Sequence, residues 1–243
     1  YKSHPNNIIY LTEKYRLNSK DIKYIISAID KDKRQRYDYD NIQRIYREYN
    51  ASIYDDKLTL GKLKNNLKNE SVLIVAPGNS INKYKEKILK YISENPMKII
   101  SVNFIPDYLK CDYYFYANSI HWGRVYKQID KSKSILVSNI HEHTENTNVV
   151  DYSSLLAEES ILGDNSTIML LNLLKKLEVA KIRIAGFDGL SNDGMNYVNS
   201  DFFDNNKLSI KETNNEIKKL YNNFKDKTKN KIDVKILTPT VYE

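Results

Sequence analysis

The sequence predicts an α/β protein: a doubly wound, mostly parallel sheet over residues 70–243, preceded by a small helical segment over residues 1–69. Three observations carry that expectation. SVLIVA (71–76) is a short, unbroken apolar run ending in Pro-Gly, the form of a parallel strand covered on both faces. From there strand-like and helix-like stretches alternate, as parallel neighbours require, because each pair needs a crossover connection. A length of 243 residues gives room for one large domain with an appendage and for a sizeable core.

The leading segment carries no strand pattern. Asn18 or Ser19 is placed to cap a helix through DIKYIISAI, with Ile22, Ile25, Ile26 and Ile29 at helical spacing. A second helix is expected from Asp38 or Asp40, with Ile42, Ile45, Tyr46 and Tyr49 on one face, and a third over Leu58 to Leu67. After the first strand, the pattern predicts a helix from Tyr84 to Ser93 and a strand at KIISV (98–102). Short strands follow at DYYFY (112–116) and SILVS (134–138). A helix from Ile168 to Leu177 leads into the strand KIRIAG (181–186). A long polar helix over 211–227 and the strand DVKIL (233–237) close the chain. No internal repeat or low-complexity linker interrupts this order, so the change of character near residue 70 is the expected boundary.

Composition narrows the function classes. Hydrophobic residues make up 41% and charged residues 28%, ordinary globular usage. No run approaches the roughly 18 apolar residues of a spanning helix, so no membrane span is expected. The net charge is +7, but residues 1–70 carry 15 Lys and Arg against 10 Asp and Glu, and residues 71–243 carry 23 against 21. A nucleic-acid binder concentrates its excess on the face that tracks phosphates, and this dilution argues against one. The single cysteine, Cys111, excludes an internal disulfide framework and a zinc site with two thiolates, and makes a reducing cytoplasm the expected compartment. The chain opens Tyr-Lys-Ser-His-Pro with no initiator Met and no apolar signal region, the expectation being a piece of something longer.

In an open parallel sheet, ligands bind beyond the carboxyl ends of the strands. The first such end is Ala76-Pro77-Gly78-Asn79-Ser80. Gly78 permits close backbone approach, and Asn79 and Ser80 offer hydrogen bonds beside a helix N-terminus, an arrangement that favours phosphate. Asn103 follows the second strand and Asn118-Ser119 the third. Gly163-Asp164-Asn165-Ser166-Thr167 precedes the Ile168 helix as a second candidate anion cradle. Gly186, Asp188 and Gly189 follow KIRIAG, with Asn192, Gly194 and Tyr197 beyond. Each of these taken alone is also an ordinary turn or helix cap. Neither G-x-G-x-x-G nor G-x-x-x-x-G-K-[ST] occurs, so the usual dinucleotide and P-loop signatures are absent. The convergence of neutral hydrogen-bonding residues suits a base and ribose, with phosphate on backbone amides. His141-Glu142-His143 alternates as two metal ligands on one strand face would, but HEHTENTN reads better as a solvated loop with no further ligand near it, and no metal is expected.

VLIVAPGNSI, IISVNFIP, YYFYANS and NSTIMLLNLLKKLEVAKIRIAGFDG, with Tyr197 beyond, together resemble the motif order of bacterial CMP-sugar-dependent sialyltransferases. A looser likeness reaches MptE-like pyrophosphokinase domains, which share the Gly/Ser first turn. The resemblance covers residues 71–240 and implies a Rossmann-like fold. It implies further that Gly78, Asn79 and Ser80 face the phosphate side, that Asn103 and Asn118 lie near the nucleotide, that Asn165, Ser166 and Thr167 contact cytidine and ribose, and that Tyr197 binds phosphate. The sequence departs from that family in one respect. The family's histidine general base follows the tyrosine, and residues 198–243 contain no histidine. Asp201 or Asp204 would have to serve, or a base from elsewhere, for which His121 is the candidate.

SHPNNIIYLTEKYRLNSKDIKYIISAI followed by YDYDNIQRIYREY resembles the C-terminal tail of HMG-CoA lyase-like proteins of the 4-hydroxy-2-oxovalerate aldolase type. By that resemblance the metal-binding barrel precedes Tyr1, and His4 has no assignable catalytic role. Three expectations follow. The first is a glycosyltransferase-like domain using a CMP-type nucleotide-sugar donor, with no required cofactor. The second is a catalytically silent nucleotide-binding module that regulates the upstream aldolase-like domain. The third is a docking domain that self-associates as a homo-oligomer.

Overall fold

The computed structural model describes residues 54–140, 144–157, 160, 162–191, 196–198 and 208–243. The two helices expected before residue 54 lie outside them. The described chain begins with α1 (Lys57–Leu67) and β1 (Ser71–Val75). Two helices, α2 (Ser80–Lys83) and α3 (Lys85–Glu94), lead to β2 (Lys98–Val102) and then β3 (Tyr113–Tyr116). Next come α4 (Ser119–Val125), β4 (Ser134–Val137) and β5 (Asn148–Val150). The chain closes with α5 (Ser166–Lys176), β6 (Lys181–Ala185), α6 (Ile210–Thr228) and β7 (Asp233–Ile236).

The strands form one 7-stranded sheet in the order β5-β4-β3-β2-β1-β6-β7, and every pairing is parallel. This is the expected doubly wound, Rossmann-like arrangement. Side-chain alternation divides the central strands between two cores. Val72, Ile74, Ile100, Val102, Ile182 and Ile184 face the helices α1, α5 and α6. Leu73, Val75, Ile99 and Ala185 face α2 and α3 through Ile81 and Ile88. Burial on both faces explains why SVLIV reads as an unbroken apolar run. β7, at one edge, is the exception, with Asp233 and Lys235 exposed and Val234 and Ile236 half-buried.

Neither β5 nor α4 is among the sequence expectations. β5 is three residues long, too short for periodicity to register, and follows a polar stretch. It exists because it extends the sheet edge, where the Asn148 carboxamide donates to the carbonyls of both Ser132 and Ser134. α4 contains a glycine and spans seven residues; its anchor is the fully buried Trp122, tilted against Tyr116 at 5.4 Å.

The helix expected over Leu58 to Leu67 forms as α1, and its packing is informative. Leu63 and Leu67 are fully buried in the same core as β1, β2 and α5. The Tyr54 amide donates to the Asp151 carboxylate, and Asp56 accepts from the Asp151 amide, so the entry to α1 is tied to the end of β5. Lys64 and Lys68 both pair with Glu178, whose carboxyl these two partners hold down to about 2. α1 therefore shares the core of the sheet through Leu63 and Leu67.

Candidate functional site

The strand order reverses between β1 and β6, because the chain moves from β1 outward to β5 and returns to β6 on the other side of β1. The carboxyl ends at such a switch point are where open α/β sheets bind ligands. Here the two ends are bonded to each other. The Ala76 amide donates to Ala185, and the Gly78 amide donates to Gly186, both at 2.8 Å. Gly78 also pairs with Tyr197 in an isolated antiparallel bridge, and the Val198 amide donates to Pro77 at 2.9 Å. Tyr197, far away in sequence, is thus drawn onto the first turn.

Asp188 completes this cluster. Its carboxylate accepts from the Ser80 amide at 2.7 Å and from the Ser80 hydroxyl at 2.5 Å. The first turn was expected to offer open amides to a phosphate, but the anion at Ser80 is the Asp188 side chain. Gly78 has a matching structural reason: a Cβ there would meet the Gly186 carbonyl at 2.3 Å and the Asp188 carboxyl at 2.6 Å. α2 is moreover a four-residue helix whose Asn79 makes no side-chain cap.

Burial raises the pKa of Asp188, and the two bonds from Ser80 oppose that rise without cancelling it. The raised folded-state value means that ionising Asp188 is harder in the folded than in the unfolded protein. Its contribution to stability is therefore greatest at low pH and falls as pH rises from the ordinary carboxyl value of 3.8 through the raised one. Asp188→Asn removes this dependence. The melting temperature of the wild type relative to the variant is expected to drop across that window; a pH-independent difference would contradict it.

A second cluster lies over the neighbouring ends of β2 and β3. Asn103 is 7% exposed and adopts a left-handed backbone (φ 64°), which asparagine tolerates better than most residues. Its Oδ1 accepts from the Ala117 amide at 3.1 Å, and its Nδ2 donates to the Ser166 hydroxyl at 2.9 Å. One side chain thus ties β2 to β3 and to the start of α5. Asn103→Ala breaks both buried bonds and leaves a β-carbon in a left-handed conformation, so it is expected to cost about 2–4 kcal/mol in chemical denaturation.

The remaining expected residues serve helix starts at the same edge. Asn118 is buried and accepts from the His121 amide at 3.3 Å at the head of α4, which places the half-buried His121 in the first turn of that helix. Asn165 caps α5, its Oδ1 accepting from the amides of Thr167 and Ile168. Ser166 and Thr167 are buried in the first turn of α5. The structure thus brings Gly78, Asn79, Ser80, Asp188 and Tyr197 into one cluster and Asn103, Asn118, Asn165, Ser166 and Thr167 into its neighbour. Asn192, Gly194, Asp201, Asp204 and His141-Glu142-His143 lie outside the described residues, as does His4.

Other chemistry is thinly represented. Cys111 is buried, and desolvation pushes its thiol up to about 11, so it remains a protonated, unreactive thiol at neutral pH. Among the described residues, no group of three or more His, Cys, Asp or Glu is placed to hold a metal ion, and no helix is long and apolar enough to cross a membrane. Sequence reading passed over the Ser80–Asp188 pair, because the partners are more than a hundred positions apart, and it passed over Asn139, just beyond the carboxyl end of β4. The rule that selected Asn103 and Asn118 applies equally to Asn139.

No protein-family model and no curated protein matches the chain.

Proposed function

We propose that the chain binds a nucleotide or nucleotide-sugar along the carboxyl edge of its parallel sheet, as the donor pocket of a glycosyltransferase-like enzyme for which a CMP-type donor is favoured. The observation that carries this reading is the convergence at one edge. Asn103 locks the ends of β2 and β3 to the start of α5, beside the switch point where Asp188 and Tyr197 meet the first turn. Such an edge is rich in neutral hydrogen-bonding side chains, which suits a base and ribose. His121, in the first turn of α4, is the candidate proton acceptor from an incoming hydroxyl.

A second reading is a nucleotide-binding or docking module without turnover, acting on an aldolase-type partner domain. It is favoured by the first turn, where the Ser80 and Gly78 amides already hold Asp188 and Gly186, and by the lack of histidine after Tyr197. A thermal-shift series with CMP, CDP, UMP, UDP, GDP, ATP and NAD at about 1 mM tests the shared premise. A ligand present at about 100 times its Kd adds roughly 2.7 kcal/mol, or about 5–10 °C for a chain of this size. A shift with cytidine nucleotides, followed by donor hydrolysis that Tyr197→Phe or Asn118→Ala diminishes, supports the enzyme. A shift without turnover of any sugar nucleotide supports the nucleotide-binding module, and no shift at all removes both nucleotide readings and leaves the docking one.

A further inference from the structure

Most asparagines along the carboxyl edge have their carboxamides engaged within the protein. Asn103 joins β2 to β3 and α5, Asn118 and Asn165 accept at the heads of α4 and α5, and Asn214 both donates to and accepts from the backbone of Leu190. Asn139 is different. It is 4% exposed, and neither its Oδ1 nor its Nδ2 has a hydrogen-bond partner. Among the described residues, the other buried polar side-chain atoms without partners are the hydroxyls of Tyr116 and Thr213. Tyr116 ends β3, which pairs directly with β4, so two of these three residues lie at the ends of neighbouring strands.

A buried carboxamide with both ends unpaired is costly, and its persistence calls for a partner that arrives from outside. Its position favours a ligand. Asn139 sits in the turn closed by the Ile140 amide and the Val137 carbonyl, immediately past β4 and on the edge where the candidate site lies. β4 is separated from β1 by β3 and β2, about 14 Å at the usual strand spacing. An extended nucleotide lying along the edge covers that span. The chemistry narrows the group: a carboxamide presents one donor beside one acceptor in a plane, the complement of a nucleobase edge carrying an acceptor beside an N–H.

Resting on the nucleotide reading above, we infer that Asn139 reads the base of the bound nucleotide, pairing its Oδ1 and Nδ2 with the donor and acceptor of the base edge. The test is calorimetric titration of the full chain with CMP, UMP, AMP, GMP and ribose 5-phosphate, for the wild type, Asn139→Leu and Asn139→Asp. The wild type is expected to prefer one base and to bind that nucleotide at least tenfold more tightly than ribose 5-phosphate. Asn139→Leu abolishes this preference and leaves ribose 5-phosphate within twofold. Asn139→Asp, which keeps the shape and replaces the donor by an acceptor, reorders the bases and keeps the inference testable if the leucine variant fails to fold. Base preference unchanged in both variants overturns the inference while leaving the nucleotide site intact, and so does an equal loss for all ligands including ribose 5-phosphate. If the wild type binds none of the probes, the nucleotide reading itself fails and takes this inference with it.

Discussion

Gly186→Ala is expected to lower the melting temperature by about 6–12 °C, whereas Gly61→Ala raises it by a few degrees. Gly186 has a left-handed backbone (φ +76°), and a β-carbon there would lie 2.1 Å from the Ala76 carbonyl oxygen and 2.5 Å from the Ile81 side chain. The backbone has little freedom to yield, because the Gly186 carbonyl accepts from the Gly78 amide and its own amide donates to Thr238. Left-handed strain costs about 1 kcal/mol and the overpacking about 2 more, and each kcal/mol moves the transition of a chain this size by about 2–4 °C. Gly61 lies inside α1 with no heavy atom within 4 Å of the added carbon. There the same change contributes about 0.5–1 kcal/mol through helix propensity. Calorimetry on the two variants checks the contrast directly. An unperturbed Gly186→Ala transition would mean that the ends of β1 and β6 are not closed on each other as described.

Leu67→Ala is expected to destabilise the whole domain by about 2–5 kcal/mol, the range for truncating a fully buried leucine. The informative part is its reach. Leu67 and Leu63 bury against strand residues such as Val72 and Ile74, so a cavity at Leu67 weakens the core that the sheet itself uses. Denaturant unfolding should remain one transition with an unchanged slope and a lowered midpoint. Hydrogen exchange in β1 and β6 should quicken to the same extent. Loss of protection confined to α1 would instead make that helix a separable appendage. Leu58→Ala is the control, since Leu58 is 92% exposed and its truncation should change stability by less than about 0.5 kcal/mol.

The candidate site was legible as a list of strand ends and illegible as a set of roles. Asn103 and Asn118 stand out because polar residues at the carboxyl ends of apolar runs meet ligands in parallel sheets, and Asn165 because it precedes a helix start. In the folded chain each also holds the edge together: Asn103 as a tie between strands, Asn118 and Asn165 at helix starts. The side-chain type that can bind a nucleotide is the type that can satisfy a buried amide, and nothing in local sequence separates the two uses. Asp188 illustrates the difficulty further. Its position after KIRIAG marked it, but the partner that defines its chemistry, Ser80, lies on β1's side of the switch point and reaches it through a parallel pairing that local periodicity does not encode.

Local pattern alone determined the central architecture. SVLIV reads as an interior strand as an unbroken apolar run bounded by Pro-Gly, KIRIA places apolar residues at alternate positions, and the long closing helix carries an apolar face on a 3.6-residue period. The tertiary structure alone decided the strand order, the addition of β5 at the edge, the docking of α1 and the closure of Asp188 over Ser80. These depend on pairings between residues far apart in the chain. Their free energy comes from shared burial and from hydrogen bonds completed across elements, and neither is a property of any single window of sequence.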